Sequence, residues 1–127
     1  MITHHSSLEV FYEQLEYVQK HYSAHGLKAE QFNHLVAGGL GGSGIGATIA
    51  KSLFSNRMPI PVEVINDYSL PHYVNERSLV ILGSYSGNTE ETLSLLEQAL
   101  DRKATIVIVT AGGQLMDKAK SLGLPYY

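Results

Sequence analysis

Four short runs of aliphatic and β-branched residues recur along this chain. They are separated by stretches in which apolar positions return every three or four residues. The runs cover residues 35–37, 62–65, 79–82 and 105–109. Each is continuous rather than alternating, as expected for strands covered on both faces in a parallel sheet. Ser6 and Glu9 fit a capping box, and Leu8, Phe11, Tyr12, Leu15 and Val18 then keep helical spacing until about His25-Gly26. Ile45, Ile49 and Leu53 mark one face of a second helix, which Asn56-Arg57-Met58-Pro59 breaks. Leu93, Leu96 and Leu100 mark a helix over 89–100. Leu115, Met116, Ala119 and Leu122 mark a last one, which Gly123 stops. Residues 27–33 and 66–77 connect elements, the second a long segment with Asp67, Tyr68 and Leu70-Pro71.

Strand–helix alternation of this kind predicts an α/β fold, a doubly wound parallel sheet between two layers of helices. Ligands of such sheets bind beyond the carboxyl ends of the strands. Pro125-Tyr126-Tyr127 reads as the start of a fifth strand. The chain is therefore expected to lack the last strand and helix of the fold and to be the N-terminal part of a longer protein. Its 127 residues fit one domain, with no internal repeat, low-complexity tract or linker.

Composition narrows the function. An apolar fraction of 44% against 17% charged residues suits a packed core. A net charge of −3 argues against nucleic acid or an anionic membrane as the main partner. The absence of cysteine excludes disulfides, thiolate metal sites and cysteine nucleophiles. No apolar run reaches the roughly 18 residues of a membrane span, and the N-terminus lacks a signal pattern. A cytoplasmic protein is expected.

Two strand–turn–helix segments carry chemistry. Ser84-Tyr85-Ser86-Gly87-Asn88-Thr89-Glu90-Glu91-Thr92 follows the third run and opens a helix. Hydroxyls at Ser84, Ser86 and Thr89, free backbone N–H groups and the positive end of a helix dipole can together hold a phosphate without lysine or metal. Gly38-Gly39-Leu40-Gly41-Gly42-Ser43-Gly44 follows the first run. It matches G-x-G-x-x-G from Gly39 and a G/A variant from Gly42, with Glu63 or Asp67 about 20 residues on, so nicotinamide dinucleotide binding is a rival. Close strand–helix packing alone also favours glycine, and serines at turns also serve as caps. The second turn favours a phosphomonoester, because a dinucleotide unit has no need of Ser-x-Ser-Gly-x-Thr after its third strand.

Gly41 to Gly46 followed by Ser84 to Thr92 resembles the sugar isomerase (SIS) domain, and more narrowly the N-terminal half of the bifunctional phosphoglucose/phosphomannose isomerases. The Tyr68-Ser-Leu70-Pro71 and Gly112-Gly113-x-Leu115 segments are similar too, so the likeness spans about residues 33–127. It implies a flavodoxin-like three-layer fold, a helix over 1–26 ahead of a core over 34–127, and one SIS domain of a two-SIS-domain protein. It also implies that Gly41, Gly42 and Ser43 contact the sugar or its phosphate and that Ser84, Ser86 and Thr89 hold the phosphate. The family interconverts glucose or mannose 6-phosphate with fructose 6-phosphate through a cis-enediol, using a glutamate, a histidine and an arginine, as a homodimer without cofactor or metal. Those catalytic groups belong to parts absent here, so no catalytic residue is expected in this chain. A stand-alone phosphosugar-sensing module is the alternative.

Other titratable residues have plainer accounts. Glu90 and Glu91 suit a helix dipole, and a base there would be repelled by a bound phosphate. Asp67 and Glu63 read as loop and strand-end residues. Tyr85 is left open between ligand and core. His21 and His25 have an i, i+4 spacing that could bind zinc, but no third ligand is evident. His4, His5 and His72 read as loose, and Lys118 and Lys120 as solvated.

Overall fold

The computed structural model describes residues 27–28, 31–39, 51 and 59–127. The expected helices over 1–26 and around Ile45, Ile49 and Leu53 lie outside them. So do the histidine pair His21 and His25 and the glycine-turn residues Gly41, Gly42 and Ser43.

Among the described residues four strands form one parallel sheet: β1 (His34–Gly39), β2 (Val62–Ile65), β3 (Ser78–Ser84) and β4 (Thr105–Thr110), in the order β2-β1-β3-β4. Helix α1 (Glu90–Asp101) joins β3 to β4, and α2 (Gly113–Leu122) follows β4. The chain leaves β1 towards one edge and β3 towards the other. The gap between β1 and β3 is thus the topological switch point, where open α/β sheets bind ligands. Tyr126 makes an isolated parallel bridge to Ile108, and Tyr127 N–H donates to the Ile108 carbonyl at 2.9 Å, so the last residues run beside β4.

Successive strand residues face opposite sides of the sheet. On one side Val36, Val80, Leu82, Ile106 and Ile108 pack with Leu95, Leu96 and Ala99 of α1 and Leu115 and Ala119 of α2. On the other, Leu79 and Val107 pack with Phe32. In β3 the face of Ser78, Val80, Leu82 and Ser84 is fully buried, and on the other Leu79 is buried while Ile81 and Gly83 are half-buried. The edge strand β2 departs from that expectation, with Glu63 exposed.

Two helix faces differ from the sequence reading. The buried stripe of α1 is Thr92, Leu95, Leu96 and Ala99, with Leu93 and Leu100 only flanking it. The rotation follows from Gly38. A Cβ there would lie 2.6 Å from Leu95 Cδ1, so the bare backbone of β1 is the seat for Leu95. On α2, Leu122 is 51% exposed and Leu115 with Ala119 form the seam.

The connection over 66–77 is fastened along α1. The Tyr68 carbonyl accepts from Ser94 Oγ at 3.1 Å and Gln98 Nε2 at 2.6 Å, while Leu70 N–H donates to Gln98 Oε1 at 2.9 Å. Arg102 donates to the Pro71 carbonyl one turn further on. Lys118 of α2 pairs with Glu97 of α1, so it is not merely solvated. Among the described residues no helix is long and apolar enough to cross a membrane.

At the amino ends of β1 and β3, His34 Nε2 lies 2.6 Å from Ser78 Oγ and its ring meets Tyr73 edge-on at 4.7 Å. Burial lowers the His34 pKa below its ordinary 6.5. A depressed histidine makes the unfolded state the better proton binder, so this contribution is complete above pH 6.5 and is lost as pH falls below it towards the folded value. Urea midpoints should therefore decline from pH 7.5 to 5.5, and His34→Gln should flatten that decline. An equal decline in the variant would assign it to other groups.

Candidate functional site

The register Gly39↔Gly83 sets the carboxyl ends of β1 and β3 side by side. The hydroxyl turn after β3 therefore leaves the sheet at the switch point, beside the end of β1.

Within residues 84–89 the polar atoms organise each other. Ser84, the last residue of β3, is only 4% exposed, and its Oγ accepts the Gly87 N–H at 3.1 Å. The same oxygen lies 2.8 Å from Thr89 Oγ1. Ser86 is exposed, and its Oγ accepts the Asn88 N–H at 3.2 Å. Tyr85 is 84% exposed, which settles its side: it faces away from the core.

Thr89 is the N-cap of α1 with extended backbone, yet its hydroxyl makes no cap bond. It turns to Ser84 instead. The first amides of a helix have no partner inside the helix, and among the described residues no side chain takes them. Together with the dipole they present a donor-rich, partially positive surface to the space above the strand ends.

A second loop holds the first in shape. Asn88 Oδ1 accepts the Gln114 N–H at 3.0 Å, and the Gly87 carbonyl accepts the Leu115 N–H at 2.9 Å. Asn88 thereby caps α2, whose own N-cap, Gly112, has no side chain to do so. The Ala111 N–H donates to the Tyr85 carbonyl at 3.2 Å, and Thr110 Oγ1 ties down the Gly112 carbonyl at 2.9 Å. The loops touch so closely that Cβ atoms at Gly87 and Gly113 would lie 1.7 Å from the Gly112 carbonyl oxygen and 2.2 Å from the Ser86 carbonyl oxygen. The cap by Asn88 escapes sequence reading because its partner is 26 residues away.

The fastened 66–77 segment borders the same helix end. A hydrogen bond with the Glu91 side chain, then burial and the charges of Glu91 and Glu90, raise the Tyr68 phenol pKa above 10.0. Glu91 is thus engaged at the flank of α1, while Asp67 accepts the Tyr68 N–H at 2.6 Å in its own loop. His72 is exposed. Among the described residues no three His, Cys, Asp or Glu side chains come together to hold a metal.

The family model of the SIS domain matches residues 30–120, well over half of the sequence. This chain belongs to the SIS domain family. Among relatives, the bifunctional phosphoglucose/phosphomannose isomerase of Caldicellulosiruptor bescii is 42% identical over 120 residues, covering 91% of this SIS chain and 35% of the relative. The chain spans about a third of the length of the curated relatives it matches. Solved structures share the SIS fold. Tagatose-6-phosphate ketose/aldose isomerase from Escherichia coli superposes with a TM-score of 0.59 at 20% identity, covering 91% of this chain and 33% of that one. The Vibrio vulnificus NanR protein complexed with ManNAc-6P superposes at 0.56 and 19% identity, covering 70% and 36%. The hydroxyl and glycine turns of this SIS domain both lie within the matched span.

Proposed function

We propose that this chain is the sugar-phosphate-binding half of an aldose–ketose isomerase, interconverting glucose 6-phosphate or mannose 6-phosphate with fructose 6-phosphate. The observation that carries the reading is the hydroxyl loop at the switch point, set against a helix N-terminus that no side chain caps among the described residues. A phosphate dianion only accepts hydrogen bonds. Ser84, Ser86 and Thr89 with the first amides of α1 are donors, and the dipole adds favourable charge. Gly41, Gly42 and Ser43, which follow β1 in the sequence, contact the sugar or its phosphate in this reading. The kinship with phosphoglucose/phosphomannose isomerases supports this substrate class.

In this reading the chain's work is placement. Anchoring the phosphate fixes C1 and C2 of the sugar, which lowers the entropic cost of reaching the transition state. Ring opening and proton transfer through a cis-enediol then fall to acid–base groups outside residues 1–127, in a second SIS domain or the partner subunit of a homodimer. No metal or cofactor takes part. A phosphosugar-sensing module is the second reading, favoured by the shared fold of the NanR protein that is complexed with ManNAc-6P.

Thermal shift tests the ligand class. Fructose 6-phosphate at a hundredfold excess over its Kd should stabilise the chain by about 2.7 kcal/mol, and NAD should not. Stabilisation by NAD and not by the sugar phosphate would overturn the reading in favour of a dinucleotide domain.

A further inference from the structure

Thr92 is the third residue of α1 and is 1% exposed. Among the described residues its hydroxyl is the one buried side-chain polar atom without a hydrogen-bond partner. The other buried hydroxyls are all engaged: Ser78 with His34 and Asn75, Ser84 with Gly87 and Thr89, Thr110 with Gly112. A threonine inside a helix ordinarily bonds back to a carbonyl three or four residues earlier, and Thr92 does not. Leaving such a group orphaned costs stability that an isosteric valine would not.

Its place in the fold gives that cost a use. On the buried stripe of α1, Leu95 rests on Gly38. The helix runs back along the strands from their carboxyl ends, so Thr92 lies about 4.5 Å nearer the helix N-terminus. At a strand rise of about 3.3 Å per residue this is little more than one residue beyond Gly38, at the last residue of β1. The orphan hydroxyl therefore lies level with the end of β1, near the helix end to which the proposed phosphate site is assigned.

We infer that Thr92 is a positioning residue for the bound phosphate. The inference rests on the phosphosugar reading. In the unliganded loop Ser84 and Thr89 share one hydroxyl proton between them. A phosphate that accepts from both breaks this bond and resets the first turn of α1. Thr92 acquires its hydrogen bond in that rearranged turn and holds it in the binding conformation. The hydroxyl is a cost in the free protein and a contact in the bound one, so stability and affinity should respond to it in opposite directions.

The test compares Thr92→Val and Thr92→Ser with the wild type, using unfolding without ligand and calorimetric titration with fructose 6-phosphate and, separately, inorganic phosphate. Thr92→Val should melt higher than the wild type and bind both ligands about tenfold more weakly, the worth of one hydrogen bond. Thr92→Ser should restore wild-type affinity. Wild-type affinity in Thr92→Val, or a serine variant as weak as the valine one, would overturn the role of Thr92 while leaving the phosphosugar reading intact. Binding of neither ligand by the wild type would overturn both.

Discussion

Gly87→Ala should cost about 2–5 kcal/mol and abolish ligand binding, the largest single effect expected from any residue of the hydroxyl loop. Two separate terms add. Gly87 has φ of 73°, where an L side chain costs about 1–2 kcal/mol. A Cβ would also fall 1.7 Å from the Gly112 carbonyl oxygen and 2.9 Å from Thr110 Oγ1, so the two loops must part. Forcing backbone apart in a packed site adds about 1–3 kcal/mol. Gly123 separates the terms. It has φ of 69°, but nothing lies within 4 Å of its would-be Cβ. Gly123→Ala should therefore lose only the conformational term, about 1–2 kcal/mol. Urea denaturation of the two variants checks this, and equal losses would show that loop contact contributes nothing beyond backbone conformation.

That contrast shows what sequence could and could not carry. The run over 62–65 became β2 residue for residue, and the other strands differ only at their ends. At those ends the structure recruits Ser78 and Ser84, polar residues that an apolar pattern excludes. Each is buried because a side-chain hydrogen bond satisfies its hydroxyl. The α1 stripe was legible as a helix face but not in its rotation, since a bare backbone at Gly38 on another element decides where Leu95 sits. The hydroxyl turn was legible because its donors, Ser84, Ser86 and Thr89, stand close together in the sequence. What supports it was not. Asn88 reaches Gln114, and Gln98 reaches Tyr68 and Leu70, across 26 to 30 residues. Such pairs have no periodicity to read. The Gly112-Gly113 pair was visible only as a turn, and its contact with Ser86 and Gly87 belongs to the fold.

The same contacts dictate how the phosphate assignment should be tested. Ser84→Ala is an ambiguous variant. It would remove a possible ligand, but it would also orphan the Gly87 N–H at a buried position, at about 1–3 kcal/mol. Ser86 and Thr89 are cleaner. Ser86 is exposed, and losing Thr89 Oγ1 leaves Ser84 still bonded to Gly87. The pair Ser86→Ala and Thr89→Ala should thus cost the unliganded chain no more than about 1 kcal/mol, the scale of a lost cap. Its effect on binding should be far larger. Each hydroxyl donating to a charged phosphate is worth about 1.5–3 kcal/mol, so losing two weakens binding at least about a hundredfold. Stabilisation by fructose 6-phosphate should then vanish at concentrations that saturate the wild type. Undiminished stabilisation would place the phosphate elsewhere, with the hydroxyls serving only to shape the turn between β3 and α1.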